Sequence, residues 1–426
     1  MKNRLKKLVP ASLYRPLLPL YHWLQALAAN VRFGFPGRGQ KVIAVTGTNG
    51  KTTTAAYLGK IFEAAGLKVG VSTTAFYQIG AEVTPNDSNM TVTDPFKLFK
   101  LLSAFKRARV DWVILEVTSH ALSQSRTLAI PIEAAVMTNL SQDHLDYHGS
   151  MDAYAAAKGR LFKNQAKLHV LNRDDEWFHF FDAYRPKLRT ITYGVDADAE
   201  VRITGAKLGP HGSALTIKLE RAEIKPKLKL VGKFNAYNAL AAATAAHALE
   251  IAPEVIESGL ETLESVPGRM EAIRDKKHGL NIIVDYAHTP DALQSVLETL
   301  RATTKRKIII VFGATGDRDA SKRPIMGKVA ARLSDAVIVT DDDTYGENPI
   351  SIRAEVLQGA HGVVDGAEIY EVGDRRAAIA KAIELAKRGD AILLAGIGHQ
   401  RYRVIGGEKI EWSEKNIAEE LLAKSK

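Results

Sequence analysis

Lys41-Val42-Ile43-Ala44-Val45-Thr46-Gly47 runs straight into Thr48-Asn49-Gly50-Lys51-Thr52-Thr53 and then into a helical pattern that reaches Gly66. No other stretch limits so strongly what this chain can fold into. A short β-rich run that is closed by glycine and opens a helix reads as strand, turn, helix. Glycine lets the backbone curve tightly, so that successive N–H groups and the positive end of the helix face one bound anion. The strict phosphate-loop spacing, G-x-x-x-x-G-K-[ST], lacks its outer glycine, but the physical parts of the cradle remain. Lys51 is placed to reach the outer phosphates of a nucleotide, and Thr52 to present a hydroxyl on the Mg²⁺ side. Such a loop does not choose a reaction, because hydrolysis for movement, phosphate transfer and activation of an acid all use one.

The pattern around the loop is α/β. Apolar residues from Val110 to Val117 suit a buried strand, AAVMTNL and KLHVLN add further candidates, and parallel strands covered by helices are the economical account. Residues 190–232 alternate instead, which predicts hairpins or a small antiparallel sheet. Beyond an alanine-rich helical stretch over 236–264, a second alternation begins with NIIVDYA and continues through KIIIVFG, AVIVTDD, a helix over 374–388 and AILLAG. The restart predicts two α/β domains, 41–268 and 269–426, behind a separate segment 1–40. At 426 residues the chain is long enough for each domain to bury its own core.

Composition bears on partners. With no cysteine, the chain has no thiolate nucleophile, disulfide or Cys-held zinc, it is compatible with a reducing cytoplasm, and any metal must be held by oxygen or imidazole. The net charge of +10 is uneven: Lys2, Arg4, Lys6, Lys7, Arg15, Arg32 and Arg38 fall within residues 1–40, which contain no acid. That segment mixes apolar side chains with Pro10, Pro16 and Pro19, a pattern too interrupted for a signal peptide or a membrane span. A helix over 19–31 would bring Leu20, Trp23, Leu24, Leu27 and Val31 near one side. Two uses are open for the stripe: it covers a groove on the neighbouring domain, or it enters a membrane interface while the cations meet anionic lipid. Nucleic-acid binding is not expected, since no recognition motif accompanies the charge.

Further clusters choose the reaction. TGTNGKTTT is joined by EVTSHAL at 116–122, TNLSQDHLDYHGSMDAYAAAKGRLF at 138–162, FNAYNALAA at 234–242, PGRME at 267–271, DYAHTP at 285–290 and GDRDASKRP at 316–324. In this order the chain resembles the Mur ligase family, most nearly the members that add the third amino acid of the peptidoglycan stem. The resemblance implies a central P-loop ATPase-like domain followed by a Rossmann-like C-terminal domain. It also implies a reaction: ATP phosphorylates a carboxylate, an incoming amine attacks the acyl phosphate, and an amide forms. Two alternatives stay open, a folylpolyglutamate- or cyanophycin-like ligase and a nucleotide-binding regulator without turnover.

The resemblance also implies roles for individual residues. Thr48, Asn49, Gly50, Lys51, Thr52 and Thr53 would hold ATP, with Asn235 and Asn238 on the adenine and Arg269, His288 and Asp317 approaching from the C-terminal domain. Lys51, Glu116, His144 and Lys158 would be catalytic, and Thr52, Glu116, His144 and a carbamylated Lys158 would hold Mg²⁺. Ser119, His120 and Arg126 would meet a muramoyl-dipeptide-like acceptor, Arg126 through its carboxylates. A monomer is expected, because the site lies between domains of one chain, and so is a cytoplasmic location, with the inner face of the membrane open as its place there.

Some stretches depart from the family pattern. The D-N-P-R stretch that grips the distal carboxylate of diaminopimelate reads Asp342-Asp343-Thr344-Tyr345, and G-K-G-H-E reads Gly396-Ile397-Gly398-His399-Gln400. Asp343, Tyr345 and Gln400 are thus the candidate contacts to the incoming amino acid, whose identity stays open. The segment Thr91-Val92-Thr93-Asp94-Pro95 also differs from the family's version. Only 40 residues precede the first strand, where the family carries a domain for the uridine diphosphate end of the acceptor. The expectation is therefore a changed grip on that handle, either a weaker hold on the UDP-linked precursor or use of a lipid-linked one.

Overall fold

A computed structural model describes residues 17–88, 94–163, 166–275, 277–364 and 366–425. Thr91, Val92 and Thr93 lie outside the described residues, as do Lys2, Arg4, Lys6, Lys7 and Arg15. The strand Lys41–Thr46 sits at the centre of the first sheet, paired in parallel with Trp112–Glu116 on one side and Ile132–Met137 on the other. Val69–Ser72 continues the parallel order beyond Trp112–Glu116, and Ala166–Asn172 and Arg189–Gly194 continue it beyond Ile132–Met137. Nearly every residue of these strands is buried, as β-branched runs with helices on both faces require. The order in which the chain adds strands to the sheet reverses beside Lys41–Thr46, and the crevice at the carboxyl ends of strands flanking such a point is where α/β sheets bind ligands.

The alternating stretch after 190 does form antiparallel pairs, Val201–Gly209 with Gly212–Lys218. They extend the main sheet instead of standing apart, because Val201–Gly209 pairs with Arg189–Gly194. The alanine-rich stretch is two helices, Lys233–Ala248 and Pro253–Thr262, the second begun by a proline.

The second sheet runs Glu271–Arg274, Asn281–Asp285, Ala391–Ala395, Ile308–Phe312, Ala336–Val339, Glu368–Glu371, parallel except for the first pair. Separate apolar clusters cover the two faces of each sheet. A hairpin, Tyr402–Ile405 with Glu408–Glu411, and the helix Glu414–Lys424 close the chain.

The N-terminal helix spans Leu18–Arg32, with a proline in its first turn. It seats on the first sheet's layer through Ala26, Ala29 and Asn30, whose Nδ2 donates to Leu128 O at 3.0 Å. Leu20, Trp23, Leu24 and Val31 are exposed, so this stripe does not cover a groove. The small residues make the contact because their side chains let the helix approach closely. No helix among the described residues is long and apolar enough to cross a membrane.

Candidate active site

The phosphate loop leaves the central strand at its carboxyl end and turns through Gly47 and Gly50, both at positive φ. At Gly50, the residue before helix Lys51–Ala64, φ is 83°, and a Cβ would stand 2.1 Å from Asn238 Oδ1. A side chain is therefore excluded twice over, by backbone conformation and by the close asparagine. Asn235, itself buried, accepts a hydrogen bond from Asn238 Nδ2 at 3.1 Å and so fixes the amide that overhangs the loop. The loop is tied from behind by two residues the sequence reading did not single out. Thr138 Oγ1 donates to Asn49 O at 2.6 Å, and Asn139 Oδ1 accepts from Asn49 N at 2.9 Å. Their signal was their place in TNLSQDH, between a strand and His144.

Lys51 Nζ donates to Thr48 O at 2.7 Å, in the mouth of the loop. Burial pushes its ammonium down, while the Glu116 carboxylate pulls it back up. Glu116, 2% exposed at the end of its strand, accepts from Thr52 Oγ1 at 2.9 Å and from both N and Oγ1 of Thr74 at 2.9 Å. Lys158 lies behind the loop, its Nζ donating to Gly47 O at 2.7 Å over the Tyr154 ring. Burial, seconded by Lys51, holds that amine well below the ordinary lysine range.

His144 has φ 56°, a left-handed conformation that is costly for a non-glycine residue, and it heads the short turn Leu145–His148. Its ring meets His120 edge-on at 4.7 Å, and His120 in turn lies against Tyr147 and His148. Burial holds His144 well below the usual histidine range and, with the neighbouring cations, takes His120 and His148 down to about 4. Neutral imidazoles are the form that can ligate a metal. Ser119 is buried and meets His148 Nε2 at 3.0 Å, so it orients that ring from the interior.

The second domain closes over this wall. Arg269, stacked on Tyr286 at 4.6 Å, donates to Thr52 Oγ1 at 3.2 Å, and His399 Nε2 stands 3.1 Å from Thr74 O. Asn49 Nδ2 donates to Asp291 at 2.9 Å. At the centre lies Asp143, which the sequence reading passed over. It accepts from Lys322 Nζ at 3.2 Å and stands 3.4 Å from His144 Nε2 and 3.7 Å from His288 Nε2. Burial alone would raise its pKa, but Lys322 foremost holds it well below the usual carboxylate range.

The two walls enclose a cleft of about 1170 Å³. The sequence-predicted residues line it, except Ser119, Lys158 and Asn235, which stand behind its wall, and Asp317, whose carboxylate accepts from Gly346 N at 3.0 Å beside the rim. Arg126 lines the cleft near Gln124, and Asp343, Tyr345 and Gln400 line it from the second domain. Among the described residues no three His, Cys, Asp or Glu side chains form a metal-holding group. Thr52 and Glu116 nevertheless meet as two oxygen donors beside the loop, which suits Mg²⁺, an ion usually held by one or two carboxylates together with substrate phosphates.

The Mur ligase middle-domain model matches residues 45–246, and the Mur ligase glutamate-ligase-domain model matches 268–398. The UDP-N-acetylmuramoyl-L-alanyl-D-glutamate–2,6-diaminopimelate ligase of Syntrophomonas wolfei is 38% identical over 94% of this chain and 81% of its own length. The chain belongs to the Mur ligase family. An enzyme of the same name from Aquifex aeolicus is also 38% identical, over 93% of this Mur ligase and 80% of the relative. Among solved structures, a ligase with that name aligns at 33% identity and TM-score 0.62, covering 90% of this chain and 78% of that one. Mycobacterium tuberculosis folylpolyglutamate synthase aligns at TM-score 0.72 and 19% identity, covering 88% and 92%, a likeness of fold alone. This Mur ligase is an ATP-dependent, amide-bond-forming enzyme.

Tyr345 has φ 48°, with Arg318 over its ring at 5.2 Å. Beneath it burial, then Asp342, raises the Asp343 carboxyl to about 6, against the Val404 N–H that it accepts at 2.7 Å. A carboxyl whose folded pKa exceeds its unfolded value of about 3.9 is stabilising only while protonated, so the benefit fades between those values and a penalty stands above pH 6. Asp343→Asn retains an acceptor for Val404 N–H and is expected to raise Tm at pH 7.5 by roughly 2–4 °C. The gain should vanish near pH 4, as differential scanning fluorimetry at the two pH values would show.

Proposed function

We propose that this Mur ligase joins an amino acid to a carboxylate of a muramoyl-dipeptide-like acceptor through an acyl phosphate. The observation that carries the reading is the single cleft in which Lys51 and Arg269 flank the phosphate loop, Arg126 and His120 lie on one side and Asp343, Tyr345 and Gln400 on the other. ATP lies along the loop with its adenine toward Asn238 and its outer phosphates at Lys51. Thr52, Glu116 and His144 would hold Mg²⁺, which would supply charge neutralisation at the phosphoryl group. Arg126 holds the acceptor carboxylates. The acceptor oxygen takes the terminal phosphoryl group and ADP leaves; the amine nitrogen then attacks the acyl carbon, and the tetrahedral centre collapses to amide and phosphate. Lys51 and Arg269 stabilise the charge that develops in both steps, and closure of the second domain excludes water from the acyl phosphate.

Lys158 in this reading is carbamylated. Burial, seconded by Lys51, disfavours the charged form of this amine; the free amine adds to CO₂ with loss of a proton, and the carbamate puts an anion behind the loop. Native mass spectrometry with and without isotopically labelled bicarbonate would detect it; an unmodified lysine under both conditions would reject this part alone. The enzyme acts as a monomer in the cytoplasm, at the inner face of the membrane, which segment 1–40 contacts.

The deciding experiment is a mass-spectrometric screen for amide formation. It crosses UDP-linked, free and lipid-linked muramoyl dipeptides with lysine, diaminopimelate, ornithine, alanine and glutamate. At least one pair should yield an ATP-dependent amide with stoichiometric phosphate. No product from any wall precursor would overturn the acceptor assignment.

A further inference from the structure

The N-terminal helix does not act alone on its side of the molecule. Leu20, Trp23, Leu24 and Val31 recur at helical spacing and are 56%, 42%, 50% and 63% exposed, although natural chains normally bury such a stripe. Packed against this helix is Pro95–Arg107, which buries Leu98, Phe99, Leu102 and Phe105 and leaves Lys97, Lys100, Lys106 and Arg107 exposed, with Lys97, Lys100 and Arg107 along a pocket that Asp87 shares. The segment that follows the N-terminal helix is tied to Pro95–Arg107 by Gln40 Nε2, which donates to Leu102 O at 3.1 Å, and by Lys106 Nζ, which reaches Arg38 O at 3.5 Å. Among the described residues, none of Lys97, Lys100, Arg107, Arg32 and Arg38 takes part in an ion pair. The carboxylate of Asp94 is used as the cap of its own helix, accepting from Phe96 N at 2.8 Å.

We infer that helices Leu18–Arg32 and Pro95–Arg107 together form a docking surface for a bilayer rich in anionic phospholipid. The inference rests on the reading that segment 1–40 contacts a membrane, and deepens it by adding a second helix whose cations take part. At 15 residues the first helix cannot span a bilayer, so it lies in the interface plane with Leu20, Trp23 and Leu24 at the acyl boundary. The cations of the second helix meet the headgroups. Charge complementarity selects this occupant over a second copy of the chain, which would set lysine against lysine across the contact.

The test is flotation of the full chain with vesicles of phosphatidylcholine alone and of phosphatidylcholine with about one-third phosphatidylglycerol. The wild type should float with the anionic vesicles only, and added salt should release it. Lys97→Gln with Lys100→Gln should weaken partitioning roughly 25-fold, and Trp23→Ser with Leu24→Ser at least about 10-fold. All four positions lie outside the cleft, so ligase turnover on soluble substrates serves as the folding control. Active wild type that ignores anionic vesicles would overturn both the inference and the membrane reading beneath it. Binding indifferent to Lys97 and Lys100 would overturn the inference and leave the N-terminal contact standing. A dimer dissolved by Trp23→Ser with Leu24→Ser, without vesicle binding, would assign the face to a second copy and overturn it too.

Discussion

Lys51→Ala is expected to lower acceptor- and amino-acid-dependent phosphate release by about 10²–10³-fold, the loss found when one preorganised donor to a developing anion is removed. The size follows from where the ammonium stands. It is half-buried, it feels the Glu116 and Asp143 carboxylates of the same wall, and it is held in the loop mouth by Thr48 O at 2.7 Å. Part of its hydration is already replaced by that carbonyl, so its charge acts on an arriving phosphate more strongly than it would in open water. The fold should tolerate the change. Thr52 and Thr74 continue to satisfy Glu116, and the Gly50 turn does not depend on the lysine. Turnover and Tm measured on the same preparation separate the two effects: activity within tenfold of wild type would remove Lys51 from the phosphate site, and a collapse of Tm would assign it a structural role.

Lys51 was legible because a strand, two glycines and a helix start leave few places for the residue after Gly50. The parallel order of both sheets was legible for a similar reason, since buried runs such as Val110–Val117 and KIIIVFG admit little else. Alternation in residues 190–232 revealed hairpins but not the sheet they join, because an edge pairs through backbone groups that leave no mark on side-chain pattern. Helical spacing grouped Leu20, Trp23 and Leu24 without saying what lies opposite; three small residues turned out to make the contact. Lys158 read as a residue of the catalytic cleft and stands behind the loop, a depth that motif order does not encode. Asp143 was overlooked because its meaning depends on Lys322, 179 residues away in the other domain.

That pair carries the largest expected effect outside the phosphate loop. The Asp143 and Lys322 side chains are each 6% exposed and 3.2 Å apart, one at the end of the first domain's catalytic wall and the other in the first turn of helix Lys322–Leu333. Deleting one member of a buried pair leaves an uncompensated charge, at about 3–5 kcal/mol. Because the contact crosses the cleft, that cost falls on the closed arrangement, and each domain keeps its own core clusters. Asp143→Ala should therefore reduce kcat/KM by roughly 10²–10³-fold and make the joint near Gly268 more susceptible to limited proteolysis. Asp143 also anchors His144 and His288, so its loss should exceed that of Lys322→Met, which leaves the carboxylate with two imidazole neighbours. The decisive measurement is the double variant Asp143→Ala with Lys322→Met. If the charges act as a latch, removing both strands neither, and the double variant should lose less than the sum of the single losses. Strict additivity in both kcat/KM and proteolysis would show that the two residues act independently and that domain closure does not run through them.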